Sequence, residues 1–177
     1  GLTIMGYAGI TSQDVTNHSI DIFHQASIAQ VQANLATKTC PITTSIAANN
    51  ATPVVAAVSN FTIPKSTPFA LTGSATDANT DDVLTYAWEE MDLGPTGDPD
   101  NPSGNAPIFR SFDPLGIGER TFPGLISIIG NTTVVGETYP TYSRGLTFRL
   151  TARDNNIAGG GVAFDELDMQ VDGSKGP

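Results

Sequence analysis

The feature that most constrains this chain is a period of two. In Leu84-Thr-Tyr86-Ala-Trp88, and again in Leu146-Thr-Phe148-Arg-Leu150, large apolar residues alternate with small or polar ones. Successive side chains of an extended strand point to opposite faces, so each run has one buried face and one wet face. Phe69-Ala-Leu71 repeats the pattern in short form, and clusters of Pro, Gly and Asp separate the runs. From Pro53 onward no convincing helical period intervenes. The economical architecture is therefore a mainly β fold, an antiparallel β-sandwich with Trp88 on a central strand as its core anchor. In 162–171 the apolar phase switches between Phe164 and Leu167, which predicts a β-bulge or bend in a strand lying at an edge or crossing two sheets. Residues 92–105 (DLGPTGDPDNPSGN) and 113–142 read as long irregular excursions.

Before residue 40 the chain has a different character. Ile28, Val31 and Leu35 stand at i, i+3 and i+7, and Ser27 precedes Gln30 by three, a capping box that opens a short amphipathic helix. A helix this short needs a surface to pack on. The next stretch, rich in Thr, Ala and Asn, has no period and reads as a linker. The expected organisation is a helical N-terminal segment at 1–38, a linker at 39–52 and the sandwich at 53–177.

Composition removes several functions. With 177 residues the chain holds one good core plus a small appendage. Its formal charge of −10 repels phosphate backbones and anionic membranes, so nucleic acid is excluded as a partner. No apolar run is long enough to cross a bilayer and no basic-then-apolar leader opens the chain, so membrane insertion is not expected. The single cysteine, Cys40, has no partner for an internal disulfide and no nearby base.

The familiar catalytic signatures are missing. There is no HExxH, P-loop, GxSxG elbow or GxGxxG entering a helix, and His18 and His24 lack the i, i+4 spacing of a helical zinc pair. Glu89 and Glu90 are adjacent on a strand, so they face opposite ways and cannot share one substrate. One constellation remains. Asp77, Asn79, Asp81 and Asp82 crowd a single turn, and Asp154 closes another strand. Oxygen ligands at alternate loop positions suit calcium, although the EF-hand spacing is not followed. A solvated acidic turn is the simpler reading, because Asp and Asn are ordinary turn formers.

Thr3-Ile4-Met5-Gly6-Tyr7-Ala8-Gly9-Ile10, followed by Asp21-Ile22-Phe23-His24-Gln25-Ala26-Ser27-Ile28-Ala29-Gln30-Val31, resembles the end of the catalytic domain in secreted bacterial metzincins of the reprolysin-like (adamalysin-like) type. Pro53-Val54-Val55, the run from Phe61 to Phe69, Tyr86-Ala-Trp88-Glu89 and the run from Gly160 to Asp165 resemble an immunoglobulin- or PKD-like module that follows such proteases in Bacteroidetes-type bacteria. The resemblance implies that Met5 is the Met-turn methionine, a support beneath the metal and not a ligand, with Tyr7 leading into the substrate-facing wall and Ser27 capping the closing helix. It implies a secreted or cell-surface zinc metalloendopeptidase acting on protein or peptide substrates. The signature HExxHxxGxxH is absent here, so zinc ligands and catalytic Glu would lie in an upstream catalytic domain, and this chain alone would not be an enzyme. The competing expectation is an adhesion or ligand-binding sandwich with no catalytic role. Asp77, Asn79, Asp81, Asp82 and Asp154 are the candidate calcium ligands under either reading.

Overall fold

The structure, a computed structural model, describes residues 2–56 and 58–177. Eight strands and two helices follow a single 3-10 turn at Ile4–Gly6: α1 (Gln25–Ala36), β1 (Val54–Val55), β2 (Phe61–Pro64), β3 (Phe69–Thr72), β4 (Ala75–Thr76), β5 (Thr85–Glu90), β6 (Glu119–Phe122), α2 (Leu125–Gly130), β7 (Arg144–Arg153) and β8 (Val162–Asp172). The fold is mainly β, as the alternation predicts. A four-stranded sheet has the order β2-β8-β7-β5, and the pairs β1-β4 and β3-β6 form two small antiparallel sheets.

The core lies between the larger sheet and β3-β6. Leu146, Phe148 and Leu150 of β7 and Leu167, Met169 and Val171 of β8 point inward, every second residue, to meet Phe69 and Leu71 of β3 and Phe122 of β6. Four phenylalanines form its centre. The Phe122 ring lies 5.0 Å from Phe69, 5.0 Å from Phe109 and 4.9 Å from Phe148, mixing stacked and edge-on contacts. Trp88 is buried as expected, although β5 is an outer strand of the larger sheet and not a central one, and its indole N–H donates to the Gly118 carbonyl at 3.0 Å.

Several expectations change. The larger sheet is not wholly antiparallel: β2 runs parallel to β8 from Phe61↔Met169 to Pro64↔Asp172. Parallel neighbours need a long connection, and the chain from 65 to 161 supplies it. No bulge interrupts β8. Its pairing with β7 is unbroken from Arg144↔Val171 to Arg153↔Val162. The phase switch serves two faces instead, Leu167 facing the core and Phe164 the outer face, where the Arg149 guanidinium lies 4.5 Å from its ring. Only over residues 169–171 is β8 flanked on both sides. The 113–142 excursion is not irregular throughout, since it holds β6 and α2. Glu119-Arg-Thr-Phe122 carries only one large apolar residue, so its register with β3 comes from the Phe122↔Phe69 pair and not from alternation.

The N-terminal segment lies on the outer face of the larger sheet. Leu2 and Thr3 are buried, Ile4 N–H donates to Ile22 O at 3.0 Å, and Ile20 N–H to Leu2 O at 2.8 Å. Helix α1 begins two residues before the Ser27 expected to cap it. His24 is the cap, its Nδ1 accepting from Ala26 N–H at 3.2 Å, and Gln25 N–H donates to Glu89 Oε2 at 3.2 Å. A tertiary carboxylate thus takes the first helical N–H, and Ser27 N–H donates to the His24 carbonyl at 2.9 Å in place of the expected box. Gln25 is buried, with its side-chain oxygen accepting from Arg149, whereas Val31 and Leu35 of the expected stripe remain about half exposed.

Candidate metal centre

Three short turns build the acidic site. The 77–82 turn is held locally: Asn79 N–H donates to Asp77 Oδ1 at 2.8 Å and Asp82 N–H to Asn79 O at 3.1 Å. Asp154 follows the last residue of β7. There the chain leaves the sheet and returns as β8, with Asp154 N–H donating to Gly161 O at 3.2 Å. The end of the 39–52 segment supplies the third side, where Asn50 is buried and donates from Nδ2 to Asp154 Oδ2 at 2.7 Å and to Gly159 O at 2.9 Å. The expected linker therefore ends inside the site.

Asp77, Asp82 and Asp154 each place a carboxylate oxygen within 4.8 Å of the others. Asn156 connects two of them, its N–H donating to Asp154 Oδ1 and its amide to both oxygens of Asp82 at 3.0 and 3.2 Å. Asn79 has its Oδ1 committed to Ala51 N–H at 2.7 Å, and Asp81 is exposed and stands apart from this group. Sequence reasoning missed Asn50, whose only signal was an Asn pair at the end of an aperiodic stretch.

The electrostatics are unbalanced. Among the described residues no Lys, Arg or His pairs with any of the three carboxylates. Burial pushes the Asp154 carboxyl up, but the Asn156 N–H, the Asn50 amide and the Gly161 N–H outweigh it and hold the group below its ordinary value, so it stays ionised. Asp77 Oδ2 and Asn50 Oδ1 are buried and accept no hydrogen bond. Hard carboxylate and amide oxygens that lack donors are the chemistry that Ca²⁺ uses, so the residues present fit such an ion.

The two adjacent glutamates are both buried and lie on opposite faces. Glu89 sits under the N-terminal segment, accepting from Gln25 N–H and from Thr151 Oγ1 at 3.0 Å, with His24 Nε2 at 4.0 Å. Glu90 accepts from Ile108 N–H at 2.8 Å and Phe109 N–H at 2.6 Å, and Arg144 approaches both it and Asp92 at 3.5 Å. Burial, reinforced by Asp92, pushes the Glu90 carboxyl from 4.5 to about 8. Because the folded-state value is the higher one, this contribution to stability is full below pH 4.5 and is lost as pH rises through about 8. Urea melts across that window are expected to show wild-type stability falling as pH rises, and Glu90→Gln flattening the decline. An unchanged slope in the variant would assign the decline elsewhere.

The segment expected to be a Met-turn folds as a tight turn. Ile4–Gly6 forms one 3-10 turn, Tyr7 adopts φ 53 and ψ 49, and Met5 and Tyr7 are 56% and 73% exposed. Met5 borders a surface groove with Val31 and Leu35 of α1. No protein-family description, curated protein or solved structure matches this chain.

Proposed function

We propose that the chain is the C-terminal portion of a secreted bacterial zinc metalloendopeptidase of the reprolysin-like type. Residues 1–38 are the tail of its catalytic domain, and 53–177 are an accessory immunoglobulin- or PKD-like sandwich carrying calcium between Asp77, Asp82 and Asp154. The observation that carries this reading is the two-sidedness of the tail. Its inner side is tied to the sheet through Gln25, Glu89 and Arg149, while its outer side presents Met5, Val31 and Leu35 to solvent. An exposed methionine in a tight turn beside an exposed apolar helix face is a surface that a further domain could cover.

Zinc, when bound by the upstream HExxHxxGxxH, supplies the activated water for peptide-bond hydrolysis. In this chain Met5 and Tyr7 would be the residues that support that site, in a turn whose Ile4 N–H is tied to Ile22 O. The test compares the purified chain with a polypeptide extended upstream of Gly1 in its natural reading frame, using casein as substrate. Zinc-dependent cleavage, abolished by chelator, is expected from the extended polypeptide and not from the chain. Cleavage by the chain alone, or an upstream sequence without the zinc signature, overturns the proposal.

The alternative, an extracellular adhesion or ligand-binding module without a catalytic role, draws its support from a different part of the surface, the apolar cavity beside α2.

A further inference from the structure

Beside β5, where Leu115 bridges Tyr86 through a pair of backbone hydrogen bonds, Tyr86 and Trp88 join Phe112, Leu115, Ile117 and Leu125 to line a cavity of about 240 Å³. That is smaller than the roughly 300–1,000 Å³ of sites for drug-sized ligands, and it suits one large side chain. The surrounding surface is unusually apolar: Leu115 is 56% exposed, Ile117 64%, Leu125 56%, Ile126 86% and Ile129 78%. Such exposure marks a contact site.

Charge selects the occupant. Arg120, the cation lining this cavity, is already committed, donating to Trp88 O, Arg110 O and Glu137 Oε1. The lining carboxylates Asp113 and Glu119 are exposed and, among the described residues, pair with no cation. With a formal charge of −10 behind them, they repel anionic lipid and nucleic acid and attract a basic group. We propose that this cavity receives a large aliphatic or aromatic side chain of a polypeptide that carries Lys or Arg next to it. The site is independent of the protease reading. It would let the sandwich hold a basic, partly unfolded or extended protein segment whether or not a catalytic domain is attached.

Trp88 is the only tryptophan and lines the cavity, so its fluorescence reports occupancy directly. The probes are three capped peptides: acetyl-Gly-Lys-Leu-Lys-Gly-amide, the same peptide with Glu for both Lys, and the same peptide with Gly for Leu. A saturable change is expected with the first, with at least tenfold weaker binding of the other two. Leu125→Glu, an exposed substitution, is expected to weaken the first peptide at least tenfold while the melting temperature holds. Asp113→Asn with Glu119→Gln is expected to erase the preference for Lys over Glu. Equal binding of the three peptides, binding insensitive to Leu125→Glu, stronger binding to phosphatidylglycerol vesicles than to the lysine peptide, or burial of the cavity by self-association would each overturn the proposal.

Discussion

Phe122→Ala is expected to destabilise the protein by about 3–5 kcal/mol in urea unfolding, the largest loss from any single truncation in this core. Phe122 has no exposure, and three phenylalanine rings lie within 5.0 Å of its centroid. The Arg120 guanidinium sits 4.3 Å from the same ring. Truncation removes the transfer free energy of the ring and leaves a void among side chains that are fixed by strands on both sides. It also removes the aromatic contacts that seat β6, whose only sheet partner is β3. Phe122→Leu keeps most of the volume and is expected to lose under about 2 kcal/mol. Ile157→Ala, at a fully exposed position, is expected to stay within about 0.5 kcal/mol. If Phe122→Ala behaved like Ile157→Ala, the core would not be centred on the phenylalanine cluster.

If the acidic group holds calcium, as proposed, the ion is expected to have the second large effect. Asp77, Asp82 and Asp154 bring three carboxylates within 4.8 Å with no cation paired to them among the described residues, so the folded state without an ion carries their repulsion. An ion that binds only the folded protein stabilises it by about 2.7 kcal/mol at a hundredfold excess over its Kd. For a chain of this size that corresponds to a rise of roughly 5–10 °C in melting temperature. Chelator is expected to reverse it. Asp154→Asn is a blunt test, because Asp154 also anchors Asn50 and Gly161. Asp82→Asn is the sharper one. It keeps an oxygen for the Asn156 amide and removes one charge, so the calcium-dependent rise is expected to shrink by more than half while the chelated protein melts no lower than wild type. A melting temperature indifferent to millimolar calcium would make the 77–82 turn a solvated acidic turn.

Legibility in the sequence followed the physics of each element. Strands β5 and β7 could be read because half-buried strands alternate, and Trp88 was recognisable as a core residue for the same reason. Strand β6 could not, because Glu119, Arg120 and Thr121 show no apolar alternation and its place depends on one ring meeting Phe69. The start of α1 was misplaced because the deciding partner, Glu89, lies far away in sequence on β5. The apparent bulge in β8 came from treating one strand as having a single apolar face, when Arg149 covers Phe164 on the other. The acidic turn and Asp154 were visible as clusters of turn-forming oxygen donors. Their convergence with Asn50 was not, since nothing local distinguishes an aperiodic stretch that is free from one that ends in a buried amide.

The functional account turns on one structural claim: the tail at 1–38 has its inner side committed to the sheet and its outer side reserved for a catalytic domain. Hydrogen exchange, read residue by residue in this chain and in the polypeptide extended upstream of Gly1, tests it most directly. Amides of 24–27, at the helix start beside Glu89, are expected to be protected in both. Amides of 5–7 and 29–36 are expected to exchange faster than those of 24–27 in the chain and to gain at least tenfold protection in the extended polypeptide. Equal exchange at Met5 and along α1 in the two proteins would contradict the account, because nothing would then cover the face that Met5 and α1 present.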